Sequence, residues 1–235
     1  MRRKPNQFLI QDSVFIAAYK KALLYSVIIM LVSNKKAKLA VPATTANLGP
    51  AFDCMGMALD IWNTVEVEVS EAPQVKVSGE GMFELPCGPA NLIYRASARL
   101  FEELGCSTPP LLVKCHNEIP LKRGLGSSAA AIVGGLLASN QLMGQPVCSD
   151  DLLDLAVELE GHPDNVVPAL LGGIHVVVED QDELITSPVQ IVPGLSTVLY
   201  IPDGTLSTQE ARGILPDTIS GKDAVYNIGW SALLV

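Results

Sequence analysis

The amino-acid sequence predicts a folded globular protein of the α/β or α+β class. Alternating apolar and polar residues predict strands near residues 64–69 and 75–77, and apolar residues at helical spacing predict a helix over residues 91–104. A glycine-rich loop around residue 125 is followed directly by a long run rich in Ala, Leu and Val. With 49% hydrophobic and 17% charged residues in a chain of 235, the composition is that of a soluble enzyme with a substantial core.

The predicted strands follow from short stretches of period-two alternation. Residues 38–41 alternate and predict a short strand that ends at Pro42. Residues 64–69 and 75–77 alternate on either side of Glu71-Ala72-Pro73, which predicts a β-hairpin with one solvent-exposed face. Further strands are predicted at residues 111–116, 174–178 and 196–201.

Three helices are predicted between these strands and a fourth at the end of the chain. Residues 91–104 have an apolar face and are ended by Gly105, and residues 128–143 begin directly after the glycine-rich loop. A third helix is predicted at residues 149–160, where Ser149 precedes two aspartates as a start signal and apolar residues recur on one face. The final predicted helix begins at residue 223.

Charge and cysteine content exclude several classes of function. Residues 1–36 hold seven of the 16 Lys and Arg residues and one acid, which leaves nine basic and 24 acidic residues in the remainder. This excess of acidic residues after residue 36 argues against a nucleic-acid-binding protein, whose surface would be basic. The five cysteines are widely spaced without a Cys-x-x-Cys pair, so neither a disulfide framework nor a zinc site is indicated, and a cytoplasmic location fits best.

The first 36 residues differ from the rest of the chain. Residues 22–32 form an apolar run between pairs of lysines, and about 11 residues are too few to cross a bilayer, which takes about 20. The run has the length of a signal-peptide apolar region but no Ala-x-Ala site follows it. We interpret residues 1–36 as an N-terminal extension of uncertain status, with a targeting role as the alternative, and expect no membrane-spanning segment.

The glycine-rich loop is the strongest local signal of chemistry. Gly124 and Gly126 allow a tight turn and a close backbone approach to a ligand, and Ser127 and Ser128 open a helix whose first amides are unpaired. Phosphate is the ligand that such a helix start favours. The loop is not a Walker A motif, because no lysine precedes the hydroxyl residues. The alternative is a simple glycine turn before a buried helix.

Two further segments each carry several polar side chains that lie close together in the sequence. Residues 41–53 follow a predicted strand and include Asn47 and Asp53, which suit the binding of a small hydroxy amino acid. Residues 160–165 place Glu160, His162 and Asn165 together at the end of the acidic helix. Taken alone, the first segment is equally a well-capped loop, and a lone histidine is more often structural than functional.

Taken in their order along the chain, and together with a fourth segment near its end, these three segments resemble the homoserine kinases of the GHMP kinase superfamily. The quoted segments are VPATTANLGPAFD at residues 41–53, PLKRGLGSSAA at 120–130, EGHPDNVVPALLGG at 160–173 and STQEARGILP at 207–216. The resemblance covers residues 38–235 and implies an α+β fold in two layers. It divides the chain into a ribosomal S5 domain 2-like, ATP-binding domain at residues 37–193 and the start of a truncated ferredoxin-like domain at 194–235.

The resemblance also implies the roles of individual residues, with ATP and Mg²⁺ as cofactors and L-homoserine as the substrate. Glu160 and one of the two loop serines would bind Mg²⁺, and Asn91 would contact adenine. Asp53 would bind the homoserine ammonium group and Arg212 its carboxylate. The residues implied for ATP are Asn91, Pro120, Lys122, Arg123, Gly124, Leu125, Gly126, Ser127, Ser128 and Ala129. Those implied for homoserine are Asn47, Asp53, His162, Asn165, Thr208 and Arg212.

The implied mechanism depends on Asn165. Relatives similar to mevalonate kinase have an aspartate at this position as a base, whereas an amide cannot take a proton at neutral pH. We therefore expect the homoserine hydroxyl to attack the γ-phosphorus directly. Catalysis would come mostly from positioning and from charge stabilisation by the loop amides and by Mg²⁺, which Glu160 and Ser127 or Ser128 would hold. By this hypothesis Asn165→Asp retains activity or changes it modestly.

The sequence departs from the family in two places. Ala51 stands where glycine is usual, so a positive φ there would strain the first motif. The sequence ends before the family's third glycine-rich motif and a second substrate arginine, so we expect an exposed apolar face and little or no kinase activity. Two alternatives remain open: a GHMP kinase for another small alcohol, or a non-catalytic nucleotide-binding homologue. The family habit also implies a possible homodimer.

Overall fold

A computed structural model describes residues 36–181, 183–202, 204, 211 and 213–235. The strands within this part of the chain are β1 (Lys36–Leu48), β2 (Ala51–Val69), β3 (Gln74–Gly79), β4 (Leu111–Asn117), β5 (Ile174–Asp180) and β6 (Glu183–Pro188). The helices are α1 (Leu92–Glu103), α2 (Ser127–Leu142), α3 (Ser149–Glu160), α4 (Pro163–Leu171) and α5 (Gly221–Leu234). The apolar run at residues 22–32 lies outside the described residues.

One mixed sheet organises the fold around the long strand β2. Its strand order is β3-β4-β2-β5-β6, and β1 pairs antiparallel with β2. β2 pairs with β4 through residues 64–69 and with β5 through residues 55–57. The antiparallel ribbon of β1 and β2 therefore runs the full length of the sheet, and the loop that joins the two strands reaches the functional cleft described below.

The predicted β-hairpin is wrong. β4 lies between β2 and β3, antiparallel to β2 and parallel to β3. The Ser70 amide after β2 donates to the Pro110 carbonyl at 2.9 Å, which ties the turn to the start of β4. Because parallel neighbours need a crossover connection, α1 joins β3 to β4. The alternating pattern identified both strands but could not identify their partners.

Helix α2 is buried between the sheet and α1. Its apolar residues show no preferred face, as expected for a helix that is covered all round. At Gly135, a Cβ would come within 2.4 Å of the Ile93 carbonyl oxygen, and at Gly134 within 2.8 Å of Val65 Cγ2. The two glycines therefore let α2 approach α1 on one side and the sheet on the other.

Helix α4 was not predicted from the sequence, because its two prolines suggest an interrupted helix. Pro163 is tolerated in the first turn, where its missing N–H would have no partner. Pro168 lies inside the helix and cannot donate to the carbonyl four residues earlier, which is that of Asp164. That carbonyl instead packs against β2 at Gly56, where a Cβ would lie only 1.8 Å from the Asp164 oxygen.

The start of α3 and two strands differ between the structure and the elements predicted from the sequence. Ser149 is the first residue of α3 and Cys148 is its N-cap, and no side chain caps the helix. The strand β6 was not predicted, and residues 196–201 do not form the predicted strand. The five cysteines are free thiols.

The last part of the chain is largely exposed. Helix α5 has no buried residue, and the apolar side chains of Val198, Tyr200, Ile214 and Leu233 are each more than three quarters exposed. The domain boundaries at residues 37–193 and 194–235 stay a prediction. Within the described ranges, no helix is long and apolar enough to cross a membrane.

Candidate functional site

A cleft of about 730 Å³ is formed where the glycine-rich loop, the start of α1 and the start of α4 meet. The adjoining ends of β1 and β2 contribute Asn47 and Phe52 to its wall. Lining residues predicted from the sequence are Asn47, Asn91, Pro120, Lys122, Arg123, Gly124, Leu125, Gly126, Ser127, Ser128, Glu160, His162 and Asn165. The fold thus brings all three polar segments of the sequence to one place.

The glycine-rich loop takes a left-handed backbone at three positions. Lys122, Gly124 and Gly126 have φ angles of 56°, 69° and 64°. Gly126 is the N-cap of α2, and as a glycine it has no side chain that could cap the helix. A Cβ at Gly126 would lie 1.9 Å from Thr44 Oγ1, so the loop packs directly on β1. The uncapped start of α2 and its partial positive charge suit an anion such as phosphate.

Glu160 lies opposite this helix start, at the last position of α3. The Ser128 hydroxyl donates to Glu160 Oε1 at 2.5 Å, so Ser128 rather than Ser127 contacts the carboxylate. Only 9% of the Glu160 side chain is exposed. Burial raises the pKa of Glu160 above its usual range, although the Ser128 hydrogen bond and the nearby His162 partly oppose that shift.

A chain of hydrogen bonds continues from α4 back to β1. Asp164 Oδ1 lies 2.6 Å from His162 Nδ1 and accepts from Asn165 Nδ2 at 3.2 Å. The Thr44 hydroxyl donates to Asn165 Oδ1 at 2.9 Å, and the Thr44 amide donates to the Leu125 carbonyl at 3.1 Å. Thr44 and Asp164 were missed by the sequence analysis, although Asp164 stands between two residues that it had selected.

The loop between β1 and β2 has its own internal geometry. Asn47 Oδ1 accepts from the Asp53 amide at 2.9 Å, and both residues have a φ of 58°. Ala51 is buried in β2 and does not have a positive φ, so the expected strain at this position is absent. Two predicted substrate residues, Thr208 and Arg212, lie outside the described residues.

Three further asparagines, Asn63, Asn91 and Asn117, line the cleft. Asn91 caps α1 by accepting from the Ile93 amide at 3.0 Å, and its Nδ2 donates to the Pro86 carbonyl at 2.9 Å. Asn63 and Asn117 are also buried and were not predicted. Asn63 Oδ1 accepts from the amides of residues 118 and 119, which fixes the chain as it enters the glycine-rich loop.

Arg123 contacts the C-terminal part of the chain. Its guanidinium group donates to the backbone carbonyls of Pro202 and Gly204. In this conformation it binds protein carbonyls, whereas the sequence analysis assigned it to the nucleotide.

The oxygen atoms of Ser128 and Glu160 fit a magnesium ion that keeps most of its ligands from phosphate and water. Mg²⁺ in nucleotide sites is commonly held by one or two protein oxygens. In the part of the chain that the structure describes, no group of three or more His, Cys, Asp or Glu residues could hold a metal ion.

Comparison with known proteins gives consistent relationships. Residues 91–173 match the family described as "GHMP kinases N terminal domain". The chain is 46% identical to the homoserine kinase of Moorella thermoacetica over 195 residues, covering 83% of this chain and 66% of that protein. It is 42% identical to the homoserine kinase of Desulfitobacterium hafniense over 198 residues, covering 84% and 67%. The chain thus spans about two thirds of the length of these relatives.

Solved structures lead to the same fold. The crystal structure of homoserine kinase from Cytophaga hutchinsonii has a TM-score of 0.70 and 31% identity, covering 83% of this chain and 64% of that one. The mevalonate kinase of Methanococcus jannaschii, at 15% identity and a TM-score of 0.53 over 66% of this chain and 56% of that one, shares the fold alone. The predicted α+β fold of this superfamily is confirmed.

Proposed function

The chain belongs to the homoserine kinase family of GHMP kinases, and we propose that it carries the nucleotide-binding and phosphoryl-transfer site for ATP-dependent phosphorylation of L-homoserine. The product would be O-phospho-L-homoserine, an intermediate of threonine biosynthesis. The observation that carries this proposal is the Ser128–Glu160 contact at the uncapped start of α2.

The glycine-rich loop is proposed to bind the ATP phosphates. Gly124 leaves open space for the phosphates beside the backbone, and the first amides of α2 would donate to them. Glu160 and Ser128 would hold Mg²⁺, which when bound neutralises charge on the phosphate oxygens during transfer. The apolar side chains of Leu85, Leu92 and Ile93 line the end of the cleft proposed for adenine.

Homoserine is proposed to bind between the β1–β2 loop and the start of α4. Asp53 would bind its ammonium group, and Asn47, His162 and Asn165 would surround the remainder of the molecule. Thr208 and Arg212 complete the proposed set. The homoserine hydroxyl oxygen would attack the γ-phosphorus while the bond to the bridging oxygen breaks, ADP leaves and the hydroxyl proton passes to solvent. Asn165 orients the hydroxyl without taking its proton.

Two measurements test this proposal on the chain as it stands. Calorimetry is expected to show ATP binding that strengthens with Mg²⁺, and coupled ADP release with homoserine tests transfer. The expectation that this polypeptide has little or no kinase activity stays a prediction, which the same assay checks. ATP binding without any transfer, even in a chain extended to the full length of the homoserine kinases that it matches, would favour a non-catalytic homologue. Preference for another alcohol in a substrate panel would replace homoserine. Absence of ATP binding would contradict the proposal altogether.

Replacement of Asn165 by Asp is expected to destabilise the chain in a pH-dependent way. Asn165 Nδ2 donates to Asp164 Oδ1 at 3.2 Å. An aspartate at position 165 would instead bring two carboxylates into contact. The pKa of the introduced carboxyl would be raised, so the destabilisation is small near pH 4 and grows as the pH rises through that pKa. Thermal melts of both proteins from pH 4 to 8 check this result. An equal difference in melting temperature at every pH would contradict it.

This result would modify the expectation from the sequence that Asn165→Asp changes activity only modestly. The repulsion also moves His162, which shares the Asp164 oxygen. We therefore expect activity of the variant to fall as the pH rises, and Asn165→Ala provides the comparison without an added charge.

A further inference from the structure

We propose that Asp164 is a positioning residue that fixes the ring tautomer of His162 and the amide orientation of Asn165. The inference rests on the proposed function, because it assumes that these two side chains face the substrate. One carboxylate oxygen, Asp164 Oδ1, is shared between His162 Nδ1 at 2.6 Å and Asn165 Nδ2 at 3.2 Å.

The hydrogen-bonding capacity of the partners makes Asp164 decisive. A neutral imidazole can carry its proton on either nitrogen, and an amide can exchange its oxygen and nitrogen by rotation. The Thr44 hydroxyl, which contacts Asn165, can both donate and accept, so it does not select one amide orientation. An ionised carboxylate only accepts. Asp164 therefore requires a proton on His162 Nδ1 and directs the NH₂ group of Asn165 toward itself.

The backbone holds Asp164 firmly in place. It lies in the first turn of α4 after Pro163, and its carbonyl packs against Gly56 of β2 at a distance that excludes a Cβ. The residue is 1% exposed. Its side chain therefore has little freedom to follow a movement of His162 or Asn165, and it acts as a fixed reference for both.

Burial of this carboxylate is not explained by stability. Asp164 Oδ2 is buried and has no hydrogen-bond partner within the part of the chain that the structure describes. A buried carboxylate with an unpaired oxygen is unfavourable compared with an apolar side chain of similar size. A residue with this cost is expected where it organises a site, and both of its partners line the cleft.

The first test reads the His162 ring directly and does not depend on kinase activity. The chain has three histidines, so ¹⁵N-histidine labelling gives three imidazole signals, which His→Gln variants assign. In the unaltered chain, His162 is expected to be the Nδ1–H form with a strongly deshielded ring proton. Rapid averaging of the two tautomers, or the Nε2–H form, would overturn the proposal.

Substitution provides the second test. Asp164→Ala is expected to lower the Nδ1–H population of His162, because the Glu160 carboxylate, 3.9 Å from Nε2, then becomes a competing acceptor for the ring proton. Asp164→Asn, which keeps a carbonyl acceptor, is expected to restore the Nδ1–H form in part. His175 in β5 is the internal reporter of folding, because it is buried in the sheet, where it pairs with Gly56 of β2. Asp154→Asn is the matched control, an exposed aspartate on α3. An unchanged His162 signal in a folded Asp164→Ala protein would overturn the proposal. Where that variant does not fold, the spectrum of the unaltered chain decides.

Ligand binding distinguishes failure of this inference from failure of the proposed function. In Asp164→Ala, homoserine affinity measured with ATP present is expected to fall about 10-fold or more, since loss of a supporting partner typically has this effect. ATP affinity should stay within about twofold. If homoserine does not bind even the unaltered chain while His162 shows the fixed tautomer, the substrate assignment fails and the role of Asp164 in orientation stands. Equal losses of ATP and homoserine affinity would indicate a purely structural role.

Discussion

Replacement of Glu160 by Gln is expected to raise the melting temperature of the metal-free chain at pH 8 and to weaken Mg²⁺-dependent ATP binding by about 10-fold or more. Burial raises the pKa of the Glu160 carboxyl, so ionised Glu160 is less favourable in the folded chain than in the unfolded one. Loss of a metal ligand should weaken metal binding by at least the 10-fold typical of a supporting partner. One substitution is thus expected to improve stability and impair function.

The sign of the pH dependence follows from the raised pKa. A group whose folded-state pKa is raised contributes stability below its unfolded pKa, and this contribution is lost as the pH rises through the folded pKa. The stabilising effect of Glu160→Gln should therefore be absent near pH 4 and largest above the raised pKa of Glu160. Thermal melts in EDTA over this range measure it, and calorimetry with ATP at increasing Mg²⁺ measures the loss of function.

Glu158 is the matched control because it lies two residues earlier on the same helix. It is paired with Arg99 at 2.8 Å, and that hydrogen bond lowers its pKa. Glu158→Gln should therefore reduce stability slightly at neutral pH and lose that effect as the pH falls, the reverse of Glu160→Gln. ATP binding should not change. A metal-free Glu160→Gln protein that melts below the unaltered chain at pH 8 would contradict our interpretation of the site.

Replacement of Gly126 by Ala is expected to destabilise the chain by about 2–5 kcal/mol and to abolish ATP binding. A left-handed backbone costs a residue with a Cβ about 1–2 kcal/mol. The added Cβ would also lie 1.9 Å from Thr44 Oγ1, and overpacking of this kind typically costs about 1–3 kcal/mol more. Because Thr44 holds Asn165, the displacement would reach both walls of the cleft.

Gly124→Ala separates these two causes. Gly124 has a φ of 69°, close to the 64° of Gly126, but a Cβ there would meet no atom within 4 Å. The free energy of unfolding of this variant should therefore fall by only about 1–2 kcal/mol, the cost of the backbone strain. Urea denaturation of both proteins gives the comparison. Equal losses of unfolding free energy would show that the Thr44 contact has no separate effect.

Local signals in the sequence were sufficient for several elements and insufficient for others. Residues 149–160 were predicted as a helix and form α3 with those bounds. The aspartates of the first turn, the apolar face and the glycine at the C-cap all favour a helix there, although Ser149 does not cap it. The hairpin failed because the alternation in β2 and β3 is the same whichever strand lies between them. Helix α4 was missed because its compatibility with Pro168 depends on β2, which is distant in sequence.

The site was predictable in outline but not in its contacts. Motif order placed the glycine-rich loop, Glu160, His162 and Asn165 in one cleft, where the structure places them. The choice between Ser127 and Ser128 depends on the rotation of α2 relative to α3, which no local pattern encodes. Asp164 was not recognised because acidic residues are usually exposed, and only the fold reveals its burial.

The contact between Gly56 and the Asp164 carbonyl links the first turn of α4 to the middle of the sheet. The first turn of α4, held in this way, keeps its position when the cleft is empty. Little further ordering is therefore needed when a small molecule binds. The entropy lost on binding is correspondingly smaller, and affinity for a compact, flexible metabolite benefits most. Any sequence change that adds a side chain at position 56 would require a matching shift of the helix.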